Sequence, residues 1–394
     1  MEVTQATQTW LAVNRETQSL MPITVGYSPE GVPLVRGKRT VVRVYPGLEG
    51  PLQAMTGVEA VLTCQTTVTT PCPGPAAIAP AAPIQVDQDY GNDLDALQRD
   101  ASRTWNFVLP DAWITQAAPL RLTAAITASE DQPECYPCHD KANNLTLAGL
   151  AFQATAPLRL NVVYGCVRRK ASDPQSACET SPLGIHADLL TGDDSLVKRT
   201  FPIAERDIQI TAQSPITLPV DGDFERTAGA MTRERMYAFH RLMCDAARAS
   251  SGGRAQRDNE ITIGLVPEPA PTVRGLNGDH CIVVAVDAST LERAAEVIAE
   301  ELGHALGRPH AGCNIHPPGE PAPCDPIYQQ FPCPHGGICV PGFDAAHLSV
   351  VDPGNPPAGE HAHDFMSYGE GAQWISPYTY RHLYDALRAL LPAE

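Results

Sequence analysis

The sequence is poor in charged and aromatic side chains: of 394 residues, only 19% are Asp, Glu, Lys or Arg and 6% are Phe, Trp or Tyr. Few charges beside 37 prolines and 30 glycines exclude a chain of long helices and predict many turns and loops. Basic clusters are missing too. Arg168-Arg169-Lys170 is short, and the net charge is -17. A chain of that sign is repelled by phosphate backbones, so no nucleic-acid partner is expected. No apolar run approaches the ~20 residues that span a bilayer, so no transmembrane segment is expected. The sequence opens on Met1-Glu2-Val3-Thr4, which is strand-like, so no signal peptide is visible. There is no G-x-S-x-G elbow for a serine hydrolase. The acidic loop around Asp352 lacks the regular oxygen spacing of a calcium-binding EF-hand. No internal repeat is present.

Cysteine, by contrast, is abundant, with 12 residues. Several lie close together: Cys64/Cys72, Cys135/Cys138, Cys166/Cys178, Cys313/Cys324 and Cys333/Cys339. An even count at short spacings in Pro- and Gly-rich segments predicts disulfides that staple loops, and with them an oxidising compartment. A secreted or extracellular protein is therefore expected. Cys135-Tyr136-Pro137-Cys138-His139 has the spacing of a zinc knuckle, but no second ligand pair matches it. Buried free thiols are the remaining alternative. Asn144-Leu145-Thr146 is a glycosylation sequon, meaningful in a eukaryotic secretory setting.

Apolar residues make up 43%, enough for ordinary cores, and the length suggests about two domains. Residues 1–153 alternate short β-branched segments with turn signals, as in Thr40–Tyr45, Val58–Thr63 and Leu120–Ile126. They predict an antiparallel β-sandwich with an accessory or purely packing role. The pattern changes after that. A strand is expected over Leu158–Tyr164 and a helix over about Phe224–Ala249. In that helix Met231, Met236, Phe239 and Met243 form a core stripe. Two apolar strands follow, Ile261–Val266 and Cys281–Val286. The fold class is therefore α+β: a sandwich followed by an α/β domain over 154–394.

The next helix is announced by Ser289-Thr290-Leu291-Glu292, a capping box. Leu291, Ala294, Ala295, Ile298, Leu302 and Ala305 mark its apolar face, and Gly307 can end it. Glu300 and His304 are four residues apart, so both side chains leave one side of the helix. Past the turn at Gly307, His310 can swing back towards them. That spacing suits a three-ligand catalytic zinc site with a fourth position open to water. Glu301, beside the first ligand position, can take a proton from that water and pass it on.

The stretch from Glu300 to His310 resembles the extended zinc motif of the metzincin metalloproteases, H-E-x-x-H-x-x-G-x-x-H, matched at Glu301, His304, Gly307 and His310. Downstream, Asp364-Phe365-Met366-Ser367-Tyr368 resembles the family's Met-turn, in a form similar to the pappalysin-like branch. The resemblance implies a zinc endopeptidase acting on protein or peptide substrates. His304 and His310 would ligate Zn2+, and Glu301 would be the general base. Met366 would floor the metal site, and Tyr368 would bind the metal or the oxyanion. It also implies an upper subdomain reaching about residue 310 and a lower one over 311–394. Substrate would lie as an added strand along an edge of the upper sheet, expected within Gly278–Val286. A last helix would begin after Ser376-Pro377, with Leu383, Ala386, Leu387 and Leu390 on its apolar face. The specific motifs occupy only 300–310 and 364–368.

One position departs from the pattern: Glu300 stands where the motif has its first His. Glu300 itself can ligate, since two His and one Glu form a known catalytic zinc set. Alternatively His361 or His363, just before the Met-turn, takes the place. Or zinc affinity is lost, and the protein is an inactive, metzincin-like peptide-binding relative. A glycan-binding or adhesive role led by the sandwich is a further alternative. The remaining histidines, among them His139, His240, His280 and His382, lack ligand spacing and are read as surface or core residues.

Overall fold

The fold is described by a computed structural model of the chain. It describes residues 1–9, 11–13, 20–22, 32–46, 54–55, 57–66, 70–87, 94–127, 144–167, 189–190, 192–218, 232–250, 259–267, 275–278, 280–286, 291–311, 333, 336–354, 362–367 and 371–392. These residues form a mixed α/β structure, in keeping with the α+β class expected. None of the described helices is long and apolar enough to cross a membrane.

Two compact units are present. The first comprises Met1–Ala154, Gln330–His363 and Gly369–Arg381; the second comprises Thr155–Gln329, Asp364–Tyr368 and His382–Glu394. The sequence pattern predicts one cut at 153/154 and a single domain beyond it. By packing, two later segments group with the N-terminal residues instead.

The first unit holds two four-stranded antiparallel sheets. One runs in the order Trp105–Val108, Val41–Val44, Glu2–Thr4, Gln8–Thr9. The other runs Asn144–Leu150, Leu120–Thr127, Glu59–Gln65, Ala77–Ile78. Side-chain alternation explains them: Ala60, Leu62 and Cys64 are buried while Glu59 and Val61 are exposed. Both sheets feed one core, with Val42, Val44 and Phe107 from the first meeting Leu62, Leu122 and Leu147 from the second. The later segments are tied to the N-terminal strands by hydrogen bonds. Phe343 N–H and the Trp374 indole N–H both donate to Ala6 O, at 2.9 and 2.6 Å. The Tyr380 hydroxyl donates to Gln5 Oε1 at 3.0 Å. Sequence pattern does not reveal such links, because each bond involves one residue and no periodicity.

The second unit is built on a mixed sheet in the order Ile208–Ala212, Leu158–Val167, Glu260–Pro267, Cys281–Val286, Gly275–Gly278, with Ile216–Leu218 also pairing Leu158–Val167. The first four strands are parallel and Gly275–Gly278 is antiparallel at the edge. Cys281–Val286 is buried at every residue, as an interior strand covered on both faces must be. It is therefore not the edge anticipated within 278–286. The edge is the shorter, glycine-containing strand before it, which is the kind of sequence that edges tolerate.

A helix covers each face of this sheet. Arg233–Ser250 packs Met236, Phe239 and Met243 against Val163, Leu218, Val283 and Ala285, so the Met/Phe stripe is core. Phe224 and Met231, expected in the same helix, lie outside the described residues. The second helix is Leu291–Ala305. The edge strand separates the two faces. Leu276 packs with the first helix's cluster, whereas Asn277 donates its side-chain N–H to Glu301 O at 3.0 Å. Neighbouring residues of a strand point to opposite faces, so the helices lie on opposite sides.

Candidate metal centre

The helix Leu291–Ala305 buries Ala294, Ala295, Ile298 and Leu302 of the face its three- and four-residue spacing predicts, and Val297 as well, while Leu291 and Ala305 of that face are half-buried. The capping box expected before it involves Ser289 and Thr290, outside the described residues. The helix ends in a Schellman arrangement. Arg308 N–H donates to Gly303 O and Gly307 N–H to His304 O, both at 2.9 Å. Gly307 has φ +82°, a conformation that costs glycine little. Among the described residues no atom would crowd a side chain there, so backbone conformation alone selects glycine. This turn sends the chain back along the helix and returns His310 to the side of Glu300 and His304.

There the three side chains converge, with ligand atoms all within 4.8 Å of one another. His304 Nε2 and His310 Nε2 are 2.9 Å apart, and His310 Nε2 is 3.2 Å from Glu300 Oε1. The two imidazoles meet edge to face, with centroids 4.3 Å apart. Two donors held ~2.0–2.1 Å from a tetrahedral ion stand about 3.3 Å apart, so the cluster is close to metal dimensions. His304 Nδ1 lies 2.6 Å from Arg308 O. With the proton on Nδ1, that bond turns the Nε2 lone pair towards His310 and Glu300. Burial, reinforced by His310, holds the His304 pKa below its ordinary value and so favours the neutral imidazole that a metal needs. Two imidazoles and a carboxylate are a donor set that fits a divalent ion, and Glu300 faces the pair as the third donor.

Glu301 faces elsewhere. It is 8% exposed, and its carboxylate lies over the Cα of Gly275 on the edge strand. Burial, with Glu300 next to it, pushes its pKa up to about 8.

Met366 comes to the same place from far along the sequence. Its turn is closed by Asp364, whose Oδ1 accepts from Met366 N–H at 2.9 Å and whose carbonyl accepts from Ser367 N–H at 2.8 Å. Met366 O in turn accepts from Ala311 N–H at 2.7 Å, one residue past His310. Met366 is fully buried, and a methyl group on Gly303 would overlap its sulfur. Phe365 stacks on Phe201, with centroids 5.6 Å apart, and so holds the turn from behind. Tyr368 and His361 lie outside the described residues. His363 belongs to the first unit, where its N–H donates to Ala372 O at 2.8 Å.

A second set of donors, His240, Cys244 and Cys281, is equally close in space. Its two sulfurs are joined as a disulfide, however, and offer no thiolate to a metal. Cys64–Cys72 and Cys333–Cys339 are disulfides of the short-range kind expected, whereas Cys244–Cys281 joins a helix to a strand that sequence spacing did not connect. Cys166 is also disulfide-bonded. Cys135, Cys138, Cys178, Cys313 and Cys324 lie outside the described residues.

Sequence reasoning did not single out Gly275, Asn277, Gly303 or Arg308 for the site. Only Gly275-Leu276-Asn277-Gly278, a cluster of small and polar residues before an apolar strand, offered a signal. Comparison of the sequence with family models and with curated proteins gives no match.

Proposed function

We propose that the protein is a zinc-dependent endopeptidase of metzincin type, secreted, with the N-terminal unit as a β-sandwich in an accessory role. The observation that carries this reading is convergence. Glu300, His304 and His310 meet at one end of a helix, and the separate Met366 turn packs against that same end. The parallel sheet with one antiparallel edge strand beside the helix supports it further.

The chemistry a zinc ion supplies at such donors is to acidify a water molecule and polarise the scissile carbonyl. Glu300, His304 and His310 would hold it. Glu301, in its ionised form, would be the general base towards that water and then the general acid towards the departing amine nitrogen. Tyr368 would donate a hydrogen bond to the oxyanion of the tetrahedral intermediate. The main chain of the edge strand Gly275–Gly278 would pair with an extended peptide.

Glu300 favours a second reading. A carboxylate in place of an imidazole lowers the Lewis acidity of a bound metal, and a peptide-binding protein without turnover then results. Metal content and cleavage of a fluorogenic peptide library, measured for the wild type and Glu300→His, separate the two. The hydrolase reading expects about one zinc per chain and chelator-sensitive cleavage in the wild type. Zinc and cleavage only in Glu300→His establish the second reading. Iron in place of zinc would overturn both, since two His and one carboxylate also form the iron triad of oxygenases.

A further inference from the structure

We propose that Gly275 and Asn277 on the edge strand are positioning residues for Glu301, and that their seat sets where its carboxylate stands relative to the candidate ligands. The catalytic consequence rests on the hydrolase reading above; the seat itself rests on packing alone.

The helix cannot place this carboxylate unaided. Glu300 and Glu301 are consecutive, and a helix fixes their Cβ directions but leaves each side chain its own torsions. Glu300 is directed by His310. Glu301 is directed by the strand. Gly275 and Asn277 are two apart, so both face the helix, and they act on two parts of the same residue. The Asn277 amide donates to Glu301 O at 3.0 Å and sets the helix-to-strand distance at that residue. Gly275, paired with Val284, then leaves the hollow in which the carboxylate lies. A methyl on Gly275 would overlap Glu301 Oε1 and come within 2.7 Å of its Cγ and 2.8 Å of Val297 Cγ1. Val297 is buried in the helix and the strand is tied to the helix by Asn277, so the freest group to move is the Glu301 carboxylate. Any such movement changes where the base stands relative to the candidate ligands. The φ of Gly275 lies outside the left-handed region, so space and not backbone conformation requires glycine there.

The test is a cycle on the full-length protein with Gly275→Ala, Glu301→Ala and the double variant, alongside Asn277→Ala as a variant that adds no atoms. Thermal unfolding of the metal-free proteins reads the seat. Gly275→Ala is expected to lower the midpoint in the wild-type background and by less than half as much when Glu301 is Ala. Equal losses in the two backgrounds would overturn the seat. On zinc-loaded protein with a fluorogenic peptide, Gly275→Ala and Asn277→Ala should lower kcat about 10–100-fold, with KM and zinc content nearly unchanged. Unaltered kcat in both variants, or a fall that tracks lost zinc, would overturn the positioning role. A wild type without zinc or cleavage overturns the hydrolase reading and the catalytic role together, while the unfolding cycle still decides whether the seat exists.

Discussion

Gly303 and Met366 are in direct contact: the sulfur of Met366 occupies the place where a side chain on Gly303 would begin. Gly303 stands between Leu302 and His304 on the helix, and Met366 belongs to a turn hydrogen-bonded to Ala311. The contact ties together both ends of the segment that carries the candidate ligands.

Gly303→Ala should therefore destabilise the protein by about 1–3 kcal/mol through overpacking, even though alanine favours a helix. Met366→Ala should cost about 2–5 kcal/mol by opening a cavity. In the double variant the two costs should add to less than their sum, because truncating Met366 vacates the space the new methyl requires. Chemical denaturation of the four proteins measures this. Strict additivity would mean that the two residues do not touch.

Glu300 and Glu301 should separate cleanly under substitution. On the proposed reading, Glu300→Ala removes a candidate ligand, and zinc affinity should fall by about 100-fold or more. Glu301→Gln leaves the three donors in place, so zinc should be retained while turnover falls by at least ~100-fold. Calorimetric titration with zinc, together with peptide cleavage, reads both. Loss of metal in Glu301→Gln alone would reverse the assignment.

The pH dependence of the metal-free protein follows from Glu301. Its pKa rises from 4.5 towards about 8 on folding, so the folded state holds a proton that the unfolded state releases. That stabilisation is complete below the unfolded value and is lost as pH rises through the folded one. Chelator-treated wild type should lose on the order of 2–4 kcal/mol between pH 4.5 and 8 from this group. Glu301→Gln should flatten that part of the profile and be the more stable of the two at pH 8. Parallel profiles for both proteins would show that Glu301 is not the responsible group.

The Cys244–Cys281 disulfide closes a sequence separation of 37 residues between the helix Arg233–Ser250 and the strand beside the edge. Replacing both cysteines with alanine should cost about 3–4 kcal/mol, mainly through greater freedom of the unfolded chain. The measurement is denaturant unfolding under non-reducing conditions. An unchanged midpoint would mean that the bond contributes nothing to stability.

Much of the fold was legible because burial imposes periodicity. Ala60, Leu62 and Cys64 alternate along a half-buried strand; Ala294, Ala295, Ile298 and Leu302 recur at helical spacing; and Cys281–Val286 is apolar throughout because both its faces are covered. Ser376 and Pro377 start the last helix as their chemistry dictates: Thr379 N–H donates to Ser376 Oγ at 3.1 Å, and Pro377 takes the first position. Strand order left no such trace. Which apolar strand lies at the edge depends on pairing between distant segments, and local sequence does not encode pairing.

The sequence alone put the candidate donors within reach of one another, with Glu300 and His304 one helical turn apart, Gly307 to reverse the chain and His310 at the distance from which it returns, but it left Glu300 in competition with His361 and His363 as the third. These are local relations, carried by helix geometry and the conformational freedom of one glycine. Tertiary structure alone decided the rest. It set Met366 against Gly303, turned Glu300 towards the histidine pair, and laid Glu301 on Gly275. The physical reason is common to all three: two consecutive glutamates and two small glycines look alike along the chain, and only packing against distant segments gives each its own surroundings.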